Sequence, residues 1–226
     1  MTDQHTLYDT TLEIPTRTTG DDLTVTVGET ELTFTPTPGE PFYHFALIVP
    51  GDRFDAALAW IRARVALLPH RASPDVVFDF PDWDARACYF HDPAGNIVEL
   101  IAHHDRECRG ARGAFDASEL VGLSELGLVG TPTAMAPPLT EWLGLRVWDG
   151  RVADHDALAF VGEPARTLIL VPTARGWLPT GRRAERHPVR VAISGDNEAE
   201  VELEDGLYRV SSRRQRQAAD APEPRR

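Results

Sequence analysis

Apolar and polar residues alternate on both sides of "GET" in "LTVTVGETELTFTP", the period-two pattern of a half-buried hairpin turning at Gly28. After the Pro/Gly cluster "PTPGEP", the run "FYHFALIV" carries the aromatic and branched residues of a buried strand. The period then changes. In "GDRFDAALAWIRARVALLP", Phe54, Leu58, Ile61, Val65 and Leu68 recur at helical spacing, with Asp52 placed to cap the start and Pro69 to end the run. "DVVFDF" and "ARACYF" return to strand character around the polar turn "PDWD". "HDPAGN" is a tight turn, because Pro93 fixes φ and Gly95 accepts a positive φ, and "IVELIA" is the strand that follows. Residues 41–104 therefore predict the order β, α, β, β, β.

The order recurs more weakly downstream. "LSELGLVG" reads as a strand, "APPLTEWLGLRV" as a short helix leading into a strand, and "ALAFVG" with "RTLILVP" as a hairpin around "EPA". "PVRVAIS" and the hairpin-like "EVELEDGLYRV" complete the ordered chain. These patterns predict an α+β fold of repeated βαβββ modules. Residues 1–104 form a first domain, made of a truncated module over 1–40 and a complete one over 41–104. A charged, Gly-containing linker spans 105–119, a second and degenerate domain spans 120–210, and 211–226 is a disordered tail.

Composition narrows the function classes. Of 226 residues, 42% are hydrophobic, enough for a core, and the net charge of -12 repels phosphates and anionic lipid, which argues against nucleic-acid and membrane partners. No window approaches the roughly 20 apolar residues of a membrane span, and the start "MTDQHTLYDT" has no signal-peptide pattern, so the expected location is the cytoplasm. Cys88 and Cys108 are the only cysteines and match no paired zinc spacing; Cys88 reads as a small core residue. All the basic residues are arginine.

Two strands carry a polar residue where an apolar one belongs. His44 interrupts "FYHFALIV" and Glu99 interrupts "NIVELIA". By the two-residue period His44 shares a face with Phe42, Ala46 and Ile48, and Glu99 with Ile97 and Ile101, so both can point into a sheet interior. A divalent cation is one of the few partners that offsets burial of a carboxylate, and imidazole with carboxylate suits iron, manganese, nickel or zinc. The plainer readings are a hydrogen-bonded core histidine and a glutamate facing solvent or paired with arginine.

The βαβββ order, the strand histidine and above all "YFHDPAGNIVELI" resemble the vicinal oxygen chelate superfamily, which includes glyoxalase I, extradiol dioxygenases and the fosfomycin and bleomycin resistance proteins. The resemblance is strong over 41–104 and weaker on either side. It implies curved, half-open mixed sheets built from paired modules, with metal ligands on the first and last strands. His44 and Glu99 match two ligand positions. A family site needs three or four ligands, and the resemblance assigns the next to the module before residue 41, which lacks a recognisable first strand and helix. Downstream, Glu125 in "LSELGLVG" aligns with His44, although a solvent-facing or Arg-paired role competes. "RTLILVP" has no acid where Glu99 would align, so a second complete centre is not expected.

Tyr89 and His91 are candidates for moving a proton beside such a metal, against plain roles as a packed aromatic and a turn residue. "AHHDREC" follows no known ligand spacing and reads as linker. Arg175, Arg182, Arg183 and Arg186 surround Trp177 in a segment that either binds an anion or simply covers the second barrel. The resemblance thus implies a metal-dependent enzyme acting on a small oxygenated molecule, of dioxygenase or of lyase/isomerase type. Ring cleavage is preferred because a set of two histidines and one carboxylate would need one more histidine. The rival is a metal-free protein that binds or sequesters a small molecule, and a third reading is a structural partner that acts as a homodimer.

Overall fold

The computed structural model describes residues 2–105, 112–173, 175–195 and 197–214; Cys108, part of the predicted linker and residues 215–226 of the predicted tail lie outside the described residues. The chain opens with the helical turn α1 (Thr2–His5), continued as a π-helical turn over Thr6–Thr11, and an antiparallel sheet of β1 (Thr16–Thr19), β2 (Asp22–Val27) and β3 (Thr30–Phe34). The first complete module follows as β4 (His44–Val49), α2 (Phe54–Arg62), β5 (Phe78–Phe80), β6 (Ala85–His91) and β7 (Ile97–His103). The second is β8 (Gly122–Gly130), α3 (Pro132–Glu141), β9 (Arg146–Gly150), β10 (Ala159–Glu163) and β11 (Arg166–Pro172). Three further strands, β12 (Val189–Gly195), β13 (Ala199–Leu203) and β14 (Tyr208–Arg214), make the last sheet.

The predicted modules are present, but they pair differently from the sequence grouping. One eight-stranded half-barrel sheet runs β5-β6-β7-β4-β8-β11-β10-β9, so 41–104 is continuous with 122–172 rather than with 1–40. The two modules meet antiparallel through their first strands, β4 and β8, and within each module the first strand runs parallel to the last. Helix α2 also departs from expectation. It ends at Arg62, and Val65 and Leu68 lie beyond it, because the backbone of Leu68 donates to the Tyr89 carbonyl at 2.8 Å and Leu67 bridges Phe90. Asp52 lies in a preceding 3-10 turn and Arg53 takes the N-cap position. The N-terminal module does have its helical turn, and Ser211–Arg214 belong to β14 rather than to a tail.

The period-two pattern of β4 divides the core in two. Phe45, Leu47 and Val49 pack against Phe54, Ala57, Trp60 and Ile61 of α2 and against Tyr8 and Leu12. Ala46, with Ile97 and Ile101 of β7, faces the opposite, concave side together with Tyr89, Phe160 and Trp177. The outer sheets are docked by specific contacts. Tyr208 Oη donates to the Val129 carbonyl at 2.7 Å and accepts from its amide at 3.0 Å, while Glu29 N donates to Val121 O at 3.0 Å. Gly28, at φ +51°, turns the β2–β3 hairpin directly against the Val121 carbonyl, where a Cβ would overlap it. Gly28→Ala is therefore expected to lose at least about 2 kcal/mol, through left-handed strain and displacement of the hairpin. Urea unfolding measures this, and a loss within about 0.5 kcal/mol, the size of an ordinary surface change, would refute the close approach.

Candidate metal centre

The register of "HDPAGN" places the first pair of site residues. Asp92 is buried, and its carboxylate accepts from Gln4 Nε2, from Tyr8 Oη at 3.2 Å, from Asn96 N and Nδ2 at 2.9 and 2.7 Å, and from Ala94 N at 3.0 Å. Asn96 Oδ1 in turn accepts from Tyr43 N at 2.8 Å, one residue before β4 begins. The turn is thus tied to the start of β4, and the parallel register that follows pairs His44 with Ile97 and Ala46 with Glu99. His44 Nε2 and Glu99 Oε2 stand 3.5 Å apart on the concave face. Antiparallel pairing of β4 with β8 sets Ala46 opposite Glu125.

His44, Glu99 and Glu125 each offer one ligand atom, and these atoms lie within 4.8 Å of one another; no other such group of donors occurs among the described residues. All three are buried, so Glu125 does not face solvent, and among the described residues it forms no ion pair with an arginine. The module supplying the third donor lies downstream of 41–104. No described residue of 1–40 belongs to this group of donors. Nor is the set two histidines and one carboxylate, and the ligand-type reason for preferring ring cleavage falls with it. The repeat also locates what is absent. Superposing Glu125 on His44 places Gly127 at the position of Ala46 and Ile169, its β11 register partner, at that of Glu99. Ile169 thus stands where the repeat of Glu99 would fall.

The protonation states are set by burial. Burial lowers the pKa of His44 to about 4, against a smaller upward pull from the Ile97 carbonyl, so the imidazole is neutral at pH 7. A neutral imidazole whose Nδ1–H donates to Ile97 O, 3.1 Å away, carries its lone pair on Nε2, the atom turned to Glu99. Burial raises Glu99 well above the usual carboxylate range, with the charge of Glu125 adding to it and a hydrogen bond from Tyr89 opposing it. Glu125 is pushed up to about 7 by burial. The His44–Glu99 contact is accordingly not an ion pair in the metal-free protein. It is part of a cluster of three buried groups that could hold a metal ion. Two donors each about 2.1 Å from one ion are about 3.5 Å apart at a near-tetrahedral angle, the separation found here. Mixed nitrogen and carboxylate donors suit a divalent transition metal.

Tyr89 stands opposite Glu99 across β6 and β7 and lines the site beside it. Burial, then the charges of Glu99 and Glu125, raise its pKa well above 10, so it remains a neutral phenol. His91 is not drawn in. It is exposed, its Nδ1 faces the Asn96 carbonyl at 3.2 Å, and it is absent from the cavity wall. Of the four arginines around Trp177, only Arg175 lines the cavity; Arg182 pairs with Glu185, Arg186 with Glu204, and Arg183 is exposed. His103 is buried and His104 and Asp105 are exposed, so these described residues of "AHHDREC" do not converge. Cys88 is a core residue, its thiol pushed up to about 12 by burial. Sequence reasoning did not single out Phe80, Trp83, Phe160 and Ile169, which form the apolar wall facing the donors. Only the aromatic character of "FDFPDWD" and "LAFVG" hinted at it.

The arrangement matches a solved structure over nearly the whole chain. A putative dioxygenase from Bacillus subtilis subsp. subtilis str. 168 superposes with a TM-score of 0.57 at 15% identity, covering 93% of this chain and 81% of that one. The chain has the glyoxalase/dioxygenase fold. Lesser likenesses to this fold include a glyoxalase I variant from Zea mays, with a TM-score of 0.42 at 16% identity over 75% of this chain and 63% of that one. A methylmalonyl-CoA epimerase from Mycobacterium tuberculosis gives 0.34 at 16% identity, over 57% and 85%. No sequence family and no curated protein matches the chain. Among the described residues no helix is long and apolar enough to cross a membrane.

Proposed function

We propose that this protein is a metal-dependent enzyme of the vicinal oxygen chelate type, in which His44, Glu99 and Glu125 hold a divalent cation and a small oxygenated molecule binds beside it. The convergence of three buried donors within 4.8 Å carries this reading. Two carboxyls buried together cannot both ionise without a compensating positive charge, and a bound divalent ion supplies that charge and Lewis acidity toward substrate oxygens. Iron, manganese, nickel and zinc all accept this donor set.

The chain's own groups divide the remaining work. Ile97 O orients the His44 ring, and Tyr89, opposite Glu99 in the cavity wall, keeps a proton available at its hydroxyl next to the donors. Phe80, Trp83, Phe160 and Ile169 exclude water from the opposite wall, which strengthens electrostatic interactions within the site. A proton transfer of the lyase/isomerase kind would also need a base, a role open to the carboxylate of Glu99 or Glu125. O₂ chemistry would depend on the metal.

Metal titration tests the reading. Chelator-stripped protein is expected to take up close to one equivalent of Zn²⁺ or Mn²⁺, and saturation at about 100 times Kd should add roughly 2.7 kcal/mol to its stability. Uptake below about a tenth of an equivalent, with no rise in Tm, would leave the metal-free ligand-binding protein as the surviving reading.

A further inference from the structure

Trp177 lies in a connecting segment, yet it is buried, and its ring stands 4.7 Å from the imidazole of His44. It reaches that position because Gly127 has no side chain: a Cβ there would overlap the tip of the indole. Gly127 lies two residues along β8 from Glu125 and shares its face, so the indole covers the strand beside two of the three donors.

The segment that carries Trp177 is a closed hairpin. Trp177 N donates to Arg182 O at 2.9 Å, Gly181 N to Trp177 O at 2.7 Å and Ala184 N to Arg175 O at 2.8 Å. It is latched to the first module by Arg182, whose guanidinium lies 3.4 Å over the ring of Phe42 and donates to Gly95 O at 3.4 Å. What remains between the hairpin and the donors is a cavity of about 70 Å³. Water takes about 30 Å³ in the liquid, and an apolar cavity of about 150 Å³ accommodates benzene. The space is therefore about half of what a benzene-sized ring needs.

Building on the metal-centre reading, we propose that Trp177 is the residue that sets the size of the ligand: the site admits small bidentate oxygen ligands, on the scale of a two-carbon hydroxy or oxo acid, and excludes catechol-sized rings. The indole occupies the space beside the donors that a substrate ring would need, and Gly127 is the slot that receives it.

Two probes of different size test this on Zn²⁺-loaded protein, by calorimetry for acetohydroxamate and by the change in its visible absorption on chelation for 4-nitrocatechol. Wild type is expected to bind acetohydroxamate, and Trp177→Ala and Gly127→Ala to bind 4-nitrocatechol at least about 30-fold more tightly than wild type does. The acetohydroxamate Kd should change less than about three-fold among the three proteins. Because Gly127→Ala displaces the indole without deleting it, agreement between the variants separates the size effect from loss of structure. Equal 4-nitrocatechol affinity in all three proteins, with Zn²⁺ bound, would overturn the size limit and leave the metal centre standing. Failure of all three to take up Zn²⁺ would overturn both.

Discussion

Glu99→Gln and Glu125→Gln are each expected to weaken divalent-metal binding by at least about 100-fold, since changing a group that merely supports a ligand already lowers affinity about 10- to 100-fold. The same substitutions should alter how the metal-free protein responds to pH, and the sign follows from the individual groups. A carboxyl raised in the folded state contributes stability that is present below its unfolded pKa and lost as pH rises through the folded one. For Glu125 that window runs from about 4.5 to about 7, and for Glu99 it extends higher. His44 acts oppositely. Its pKa, lowered to about 4, removes stability as pH falls below about 6.5, so it offsets the carboxyls between 4.5 and 6.5 and is silent above. The metal-free protein should therefore lose stability as pH rises above about 6.5, by about 1.4 kcal/mol per pH unit for each carboxyl still protonated in the fold. Bound metal should flatten that loss, because the cation stabilises the ionised carboxylates, and either Gln variant should reduce it by removing one titrating group. Thermal unfolding with chelator and with Zn²⁺ across this range decides the matter. A metal-free Tm that is level or rising above pH 6.5 would contradict the paired buried carboxyls.

What was legible in the sequence follows from how local each feature is. His44 and Glu99 stood out because a two-residue period fixes which residues share a strand face, and both broke an apolar pattern. Glu125 was harder, because its burial depends on β8 pairing with β4, and nothing within "LSELGLVG" states which strand it will lie beside. The sequence offers two sources for a third donor, the module upstream and Glu125 downstream, and the sheet brings Glu125 to the other two. The α2 boundary failed for a related reason: Val65 and Leu68 keep helical spacing, but pairing of the segment with β6 outweighs that local preference. "TDQHTLYDTT" has too few apolar residues to read as a helix, and its helical turns are held instead by Gln4 and Tyr8 reaching Asp92. Trp177 lies in a connection with no periodicity at all. Its burial over Gly127 is a tertiary fact that pattern reading does not reach.

Asp92→Ala is expected to be the most destabilising of these substitutions, although Asp92 touches neither the cavity nor a donor. Its carboxylate accepts from Gln4, Tyr8, Ala94 and Asn96, joining the N-terminal turn, the β6–β7 turn and, through Asn96 Oδ1 and Tyr43 N, the entry to β4. Alanine would leave the buried donors of Gln4, Tyr8 and Asn96 without this acceptor, while Ala94 N keeps Gln4 Oε1, and each buried donor left unsatisfied costs about 1–3 kcal/mol. Burial raises the Asp92 carboxyl while its hydrogen bonds pull it back, so this is a carboxyl dependent on its donors as much as they are on it. Asp92→Asn separates charge from shape: it keeps one acceptor oxygen but turns an amide toward groups that are themselves donors, and should fall between wild type and alanine. The consequence reaches the site because Asn96 and Tyr43 fix the β4–β7 register, and a loosened register moves His44 relative to Glu99. Urea midpoints should therefore order as wild type, Asp92→Asn, Asp92→Ala, with Zn²⁺ affinity falling in the same order. Unchanged metal affinity in a destabilised Asp92→Ala protein would show that strand packing alone holds the two donors in place, and that the turn serves only stability.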